Sequence, residues 1–222
     1  MYDFEKKFRD EVLRCSNCGF CRAVCPLFGL TKRPAFNARG KMLILKEVMD
    51  GRIDLDDQLV DTLFQCTTCG ACAEQCPSGV NPPEIIKQVR KDMVHNHSCH
   101  PAFEGMYKVL SEHTNIYGED DTEDFERERN RKAAFVYFIG CVGSYREDEA
   151  TLAALDLLDH LKVDYTLIDE VCCSGVLDDV GFRTQTDLAG KNVDLILKTG
   201  AKTVITGCPY CFRTFNDRPA YK

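Results

Sequence analysis

Hydrophobic residues in the first half of the chain recur every three or four positions. This spacing is typical of helices that bury one face. It predicts helices over Asp3–Arg14, Arg39–Met49, Leu55–Phe64, Glu84–Val94 and Phe103–His113. We therefore expect the first half to be all helical.

The pattern in the second half alternates between short apolar runs and helical spacing. Ala134–Gly140 is a continuous apolar run of buried-strand length, and Tyr165–Ile168 and Lys202–Thr206 are shorter strand candidates. Asp148–Leu161 and Asp187–Thr199 have the spacing of helices. Strand–helix–strand–helix–strand order predicts a small parallel α/β sheet.

Charged residues dominate the segment between the two patterns. Acidic residues give way to mixed charge over 119–132, which is typical of a solvated linker. The chain is accordingly expected to have three parts: a helical domain over 1–118, a charged linker over 119–132 and an α/β domain over 133–222.

Composition and charge restrict the class of protein. The net charge of −7 argues against nucleic acid as a partner. No apolar run approaches the 18 or so residues of a membrane span, and charged residues interrupt Met1–Asp10, so no export signal is expected. We expect a cytoplasmic protein with no transmembrane segment of its own, which docks peripherally on a membrane only through a partner.

Fourteen cysteines supply the candidate chemistry. Two runs share the spacing Cys-x2-Cys-x2-Cys-x3-Cys-Pro, which in ferredoxins holds two [4Fe–4S] cubanes, with the fourth cysteine of each run ligating the other cluster. One predicted ligand set is Cys15, Cys18, Cys21 and Cys76, and the other is Cys66, Cys69, Cys72 and Cys25. A disulfide scaffold is disfavoured, since such scaffolds are small and secreted.

A third group of five cysteines follows the predicted strands. Cys141 directly follows the first strand, Cys172 and Cys173 come after the second, and Cys208 and Cys211 come after the third. Because parallel strands direct their carboxyl ends to one sheet edge, the five sulfurs are expected to converge there. Four of them also suit a structural zinc ion, which stays open as an alternative.

Taken together, the three groups resemble the CCG-domain iron–sulfur oxidoreductases, and among them the large iron–sulfur subunit of membrane-bound heterodisulfide reductases. The resemblance implies an all-helical two-cluster ferredoxin domain followed by a small parallel CCG domain. It also implies that Cys141, Cys172, Cys173, Cys208 and Cys211 hold a non-cubane [4Fe–4S] cluster that reduces a disulfide.

Two departures from that family matter. The doublet continues Ser174-Gly175 rather than directly with glycine, and we expect the shifted glycine to preserve the turn. Disulfide-cleaving relatives carry two five-cysteine motifs and this chain has one, so we expect the other half in a continuation or a partner subunit. The edge of the sheet beside Lys202–Thr206 should then be left unpaired by this chain.

The resemblance leaves three functional hypotheses. The first is an oxidoreductase subunit acting on a thiol-derived disulfide, with a b-type cytochrome or a flavoprotein as its partner. The second is an electron relay between a flavin dehydrogenase, of the lactate, glycolate or glycerol-3-phosphate type, and a membrane quinone. The third is a zinc-stapled structural subunit.

Cys99 belongs to none of the three groups. It lies among His95, His97 and His100, a combination that suits a metal but is more typical of a packed cysteine beside a surface loop.

Overall fold

The computed structural model describes residues 1–120, 125–182 and 187–221. This part of the chain divides into two compact units. The first contains residues 1–104 together with 176–182, and the second contains the described residues of 105–175 and of 187–221.

The first half is helical, as predicted. Its helices are α1 (Asp3–Arg14), α2 (Phe20–Ala23), α3 (Pro26–Thr31), α4 (Ala38–Met49), α5 (Val60–Phe64), α6 (Ala71–Glu74), α7 (Pro82–His95) and α8 (Pro101–His113). The helix expected over Leu55–Phe64 is shorter, because a 3₁₀ turn over Asp57–Leu59 precedes α5.

The core of the first unit comes from the apolar faces of its longer helices. Phe4 of α1, Leu45 of α4, Leu63 of α5 and Ile86 of α7 are all completely buried. Several of the predicted ligands pack at the margin of this core: Cys15, Cys66 and Cys76. Hydrophobic packing of the long helices therefore holds the cysteine runs in place.

The two cysteine runs have the same local structure. Asn17 and Thr68 both adopt a positive φ, at 58° and 50°. Gly19 and Gly70 cap the short helices α2 and α6 with φ near 90° in each case. The sequence repeat is thus also a structural repeat.

The second unit contains a parallel three-stranded sheet with helices, which confirms the predicted mixed α and α/β fold. Its elements are β1 (Phe135–Phe138), α9 (Gly140–Tyr145), α10 (Asp148–His160), β2 (Tyr165–Thr166), α11 (Gly175–Asp179, which extends into the first unit), α12 (Leu188–Thr199), β3 (Thr203–Thr206) and α13 (Pro209–Asp217). The strand order is β2-β1-β3, and Phe135 is in register with Tyr165 on one side and Thr203 on the other.

The outer edge of β3 is unpaired within the described residues, where β3 hydrogen-bonds to β1 alone. This agrees with the expectation of an open sheet edge beside Lys202–Thr206.

Leucines recur every three residues along α10 and its C-cap, at Leu152, Leu155, Leu158 and Leu161, but they do not form one buried stripe. Leu155 is completely buried, whereas Leu152 and Leu161 are 38% and 62% exposed. A spacing of three residues falls short of the helical repeat of 3.6, so successive leucines rotate away from the buried face.

Most of the charged segment that the structure describes is exposed, but it also packs against the second unit. Residues 121–124 of it lie outside the described residues. After them, Phe125 is 2% exposed within the second core, Arg127 Nη2 lies 2.6 Å from Asp156 Oδ1, and Arg129 forms a parallel bridge with Leu167. This part is packed into the second unit because its backbone extends the β2 edge of the sheet.

Candidate metal centres

Cysteines from both runs line one cavity in the first unit. Its cysteines include the first three of the first run and the last of the second: Cys15, Cys18, Cys21 and Cys76. Arg39 and Met42 of α4 also line it.

A neighbouring cavity has the reciprocal set. It is lined by Cys66, Cys69 and Cys72 of the second run and Cys25 of the first. Cys72 reaches both cavities. The fold thus brings together the two sets that the crossover spacing predicted.

Backbone geometry around the runs suits anionic sulfur ligands. The backbone N–H of Phe20, in the first turn of α2, lowers the pKa of the Cys18 thiol below its ordinary value. Burial instead raises the pKa of Cys72 to about 12, so this thiol stays protonated at neutral pH in the absence of a metal. Each cavity thus has at least four thiols around it, with amides directed at sulfur, and this lining fits an iron–sulfur cluster.

Buried cations accompany the second cavity. Lys41 of α4 is 1% exposed, lines that cavity, and donates a hydrogen bond from Nζ to the Phe36 carbonyl. Burial lowers the pKa of Lys41, and the nearby Cys66 and Cys25 thiolates oppose that change. Arg90 of α7 is 2% exposed and donates to the Cys66 carbonyl.

The five cysteines of the third group lie together in the second unit, as the topology predicted. Cys141 lies in the first turn of α9, shortly after β1, and the doublet follows β2. Cys208 caps α13, and Cys211 lies in its first turn. The sequence did not predict α9 or α13, because each is short and begins at the cysteines themselves.

Hydrogen bonds join the five thiols in one continuous series. Cys172 shares its one S–H proton between Cys141 and Cys173, and Cys211 shares its own between Cys173 and Cys208. The Cys173 and Cys211 sulfurs are 3.5 Å apart. Residues up to seventy positions apart in sequence therefore form a single cluster of sulfur atoms.

Hydrogen bonding alternates the protonation states along this series. The bond from Cys172 lowers the pKa of Cys141, and those from Cys172 and Cys211 lower that of Cys173 to about 3. The bond from Cys211 lowers the pKa of Cys208 to about 6. The hydrogen bonds that Cys172 and Cys211 donate raise the pKa of these two thiols, since ionisation would break them, and burial and the nearby sulfur charges raise it further.

Gly140 makes the close approach of the sulfurs possible. Its φ is +80°, and a Cβ at this position would lie 2.9 Å from the Cys211 sulfur. A side chain here would be strained by its backbone and would displace that cysteine.

The turn after the doublet differs from the expected one. Ser174, not Gly175, adopts the left-handed conformation, with φ of 59°. Its Oγ donates to the Cys173 carbonyl at 2.7 Å and accepts from Arg218 at 2.6 Å. Gly175 is required for space instead, because a Cβ there would overlap Thr214 Oγ1.

A cavity of about 470 Å³ opens beside two of the five cysteines, Cys141 and Cys172. Glu170 lies in its wall and accepts hydrogen bonds from the backbone N–H groups of Ile139, at 3.0 Å, and Gly140. Burial raises the pKa of Glu170 to about 8. Sequence reasoning missed this residue, although an acidic side chain two positions before the doublet was a signal for it.

Cys99 packs against the first core, and burial raises its pKa to about 11. Its sulfur donates to the His100 carbonyl at 3.5 Å. Across residues 1–120, 125–182 and 187–221, no three His, Cys, Asp or Glu side chains are arranged to hold a single metal ion.

Two protein families match this chain. Residues 11–80 match the 4Fe-4S dicluster domain, and residues 135–216 match the cysteine-rich domain known as CCG. These matches confirm the resemblance that the cysteine spacing indicated, and they identify an iron–sulfur protein.

Several named proteins are similar in sequence to this chain. Over 230 residues the chain is 29% identical to one of the subunits of dihydromethanophenazine:CoB–CoM heterodisulfide reductase from Methanosarcina acetivorans, covering 91% of this chain and 56% of that protein. It is 31% identical over 110 residues to a probable glycolate oxidase iron-sulfur subunit of Bacillus subtilis, covering 49% of this chain and 24% of that protein. Over 231 residues it is 27% identical to one of the subunits of fumarate reductase (CoM/CoB) from Methanothermobacter marburgensis, covering 99% of this chain and 45% of that protein.

The chain thus spans about half the length of the relatives that it matches along most of its own length. No solved structure matches it.

Proposed function

We propose that this chain, which carries a 4Fe-4S dicluster domain followed by a cysteine-rich domain, is an oxidoreductase subunit that delivers electrons to a disulfide. In this proposal Cys15, Cys18, Cys21 and Cys76 hold one [4Fe–4S] cubane, and Cys66, Cys69, Cys72 and Cys25 hold the other. The five cysteines of the second unit hold a non-cubane [4Fe–4S] cluster at which the disulfide is reduced.

The observation that carries the proposal is the joining of five sulfurs beside an open cavity. Five thiols exceed the four that a cubane or a tetrahedral zinc ion requires. Cys141 and Cys172 border the 470 Å³ cavity, so a small sulfur compound has access to this end of the series.

Neighbouring residues define the side from which a substrate can reach the five cysteines. Phe215 packs edge-on against Phe138 and Tyr221 with ring centroids 4.9 and 4.4 Å apart, which closes the side where Cys173 and Cys211 are buried. Ser144 and Tyr145 offer hydroxyl groups in the cavity wall. The substrate is therefore expected to enter beside Cys141. When bound, an iron–sulfur cluster supplies electrons one at a time.

A multi-subunit complex fits this role, since the relatives with similar sequences are themselves subunits of larger enzymes. We propose a b-type cytochrome or a flavoprotein as the electron donor, and a cytoplasmic location that is peripheral on the membrane through such a partner. Within the described residues, no helix combines the length and apolar character needed to cross a membrane. A second cysteine-rich domain, in a continuation or another subunit, would complete the site.

The similarity to a glycolate oxidase iron-sulfur subunit favours an electron relay as the second candidate. The chain would then connect a flavin dehydrogenase to a membrane quinone, and the third cluster would bind no thiol.

One experiment separates the two. The chain is purified without oxygen, its iron is counted, and it is oxidised with and without a small thiol while electron paramagnetic resonance is recorded. Three four-iron clusters would give about 12 iron atoms per chain. If the third cluster reduces a disulfide, its paramagnetic signal should depend on the added thiol. The Cys173→Ser variant should lose that signal and keep the cubane signals.

An iron-loaded protein with no thiol-dependent signal would contradict disulfide reduction and favour the relay. A colourless protein containing zinc and no iron would contradict both.

A further inference from the structure

Lys41 is a fully buried cation in the wall of the cavity lined by Cys25, Cys66, Cys69 and Cys72. Lysine is almost never fully buried unless its ammonium has a partner. Here Nζ donates to the Phe36 carbonyl at 2.5 Å and lies 5.8 Å from the centroid of the Phe36 ring. These contacts fix the ammonium in place, but both partners are neutral and leave its charge uncompensated.

The anionic groups near Lys41 are the predicted ligands themselves. Cys66, Cys25 and Cys72 are close enough for their sulfurs, once ionised by a bound metal, to act on the Lys41 charge. Arg90, which does not line the cavity, is a second buried cation beside its ligands, since its guanidinium donates to the carbonyl of Cys66.

The neighbouring cavity is surrounded differently. Arg39 in its wall is half-buried, and Lys46, also half-buried, donates to the Cys15 carbonyl at 2.8 Å. Water screens these charges, whereas a charge away from water acts through a lower dielectric constant. The two cavities therefore differ in electrostatic environment although their cysteine spacings are identical.

We infer that Lys41 sets the reduction potential of the cubane held by Cys66, Cys69, Cys72 and Cys25, and makes it the more easily reduced of the two. The inference rests on the proposed function, because it requires both cubanes to be present. Reduction adds one electron to an already anionic cluster, and no bond forms or breaks. A fixed buried cation stabilises that added charge, so the electron resides at this cubane before it leaves the dicluster domain.

Lys41→Met tests the role of the charge at nearly constant side-chain volume. The two cubane potentials are measured in the full, iron-loaded chain by redox titration followed by electron paramagnetic resonance. In Lys41→Met the reduction potential of the cubane beside Lys41 should fall. The expected fall corresponds to at least a tenfold change in the reduction equilibrium, which is about 59 mV for one electron. The other potential should stay unchanged.

Two variants make the comparison specific. Lys41→Arg keeps the positive charge and should keep the potential near that of the unaltered protein. Lys46→Met removes a half-buried cation of the same helix. It should leave the potential of the cubane beside Lys41 unchanged. If Lys41→Met loses iron, Lys41→Gln replaces it, with the same expected fall.

Unchanged potentials in an iron-loaded Lys41→Met or Lys41→Gln protein would overturn the inference and leave the proposed function standing. An equal fall in Lys41→Arg would also overturn it, because packing rather than charge would then be responsible. Absence of two cubane signals from the unaltered protein would instead overturn the proposed function, and this inference with it.

Discussion

At the residue scale, the hydrogen bonds between thiols set which cysteines of the third group are protonated. Cys172 and Cys211 are donors, and the pKa values of their acceptors Cys141, Cys173 and Cys208 are lowered. The metal-free site is therefore already partly ionised at neutral pH, which favours uptake of metal because thiolate is the form that binds it.

Cys208 is half-buried, as Cys141 is, whereas the other three cysteines of this series are buried, so its ionisation can be measured chemically. In metal-free, reduced protein we expect iodoacetamide to alkylate Cys208 readily at pH 7, because its pKa is lowered to about 6 and the thiolate is the reactive form. Below pH 6 the rate should fall about tenfold per pH unit as the thiol becomes protonated. Peptide mapping by mass spectrometry gives the rate.

Cys99 is the internal control for this reaction. It is also half-buried, but its pKa is raised to about 11, so it should react slowly at pH 7. Equal rates for the two cysteines at pH 7 would contradict the hydrogen-bonded arrangement.

Gly140 gives a second test at this scale. Gly140→Ala places a methyl group 2.9 Å from the Cys211 sulfur at a φ of +80°, so we expect loss of iron from the third group and a stability loss of about 2 kcal/mol. Gly105→Ala is the matched control, because nothing lies within 4 Å of its Cβ and alanine favours the helix. Iron content and thermal unfolding distinguish the two, and similar behaviour of both variants would contradict this role of Gly140.

At the scale of elements, buried polar contacts as well as apolar packing hold the cysteine runs. Arg90 of α7 donates to the carbonyls of Leu63, Phe64 and Cys66, at the carboxyl end of α5, and to the Asp179 carbonyl of α11. These carbonyls have no helical partner at the ends of their helices, so the guanidinium satisfies them away from water.

Arg90→Met should therefore be strongly destabilising. It leaves several buried carbonyls without a hydrogen bond from this residue, and we expect a loss of about 3 kcal/mol or more in the free energy of unfolding. Arg9→Met is the comparison, since Arg9 is exposed and its 3.9 Å pair with Glu5 should contribute less than about 1 kcal/mol. Denaturant unfolding followed by circular dichroism measures both, and equal losses would refute the structural role of Arg90.

At the scale of the whole molecule, the candidate centres are divided between two units. The two four-cysteine sets belong to the first unit and the five-cysteine group belongs to the second. Each unit has its own hydrophobic core, so each group of ligands is held by packing within its own unit.

This division predicts that the centres can be lost separately. Cys66→Ser should reduce iron from about 12 to about 8 atoms per chain by cluster stoichiometry and leave the thiol-dependent signal intact. Cys208→Ser should likewise lower the iron content to about 8 atoms per chain and leave both cubane signals intact. Loss of all iron from either variant would contradict independent centres.

The sequence determined which atoms can bind metal and on what kind of element they lie. The repeated cysteine spacing fixed the two reciprocal sets around the first two cavities, since Cys25 and Cys76 follow their runs at the same interval before a proline. The apolar run before Cys141 fixed β1, because an uninterrupted run of that length suits a buried parallel strand. These features depend on neighbours along the chain, and the pattern of residues is enough to predict them.

Tertiary structure alone decided the environment of those atoms. Only the fold shows that Lys41 is buried beside four cysteines and that Glu170 accepts hydrogen bonds from backbone some thirty residues away. The packing of Phe125, the left-handed turn at Ser174 and the donors among the five thiols were hidden for the same reason. Burial, dielectric environment and hydrogen-bond direction arise from contacts between residues far apart in sequence, and no local pattern encodes them.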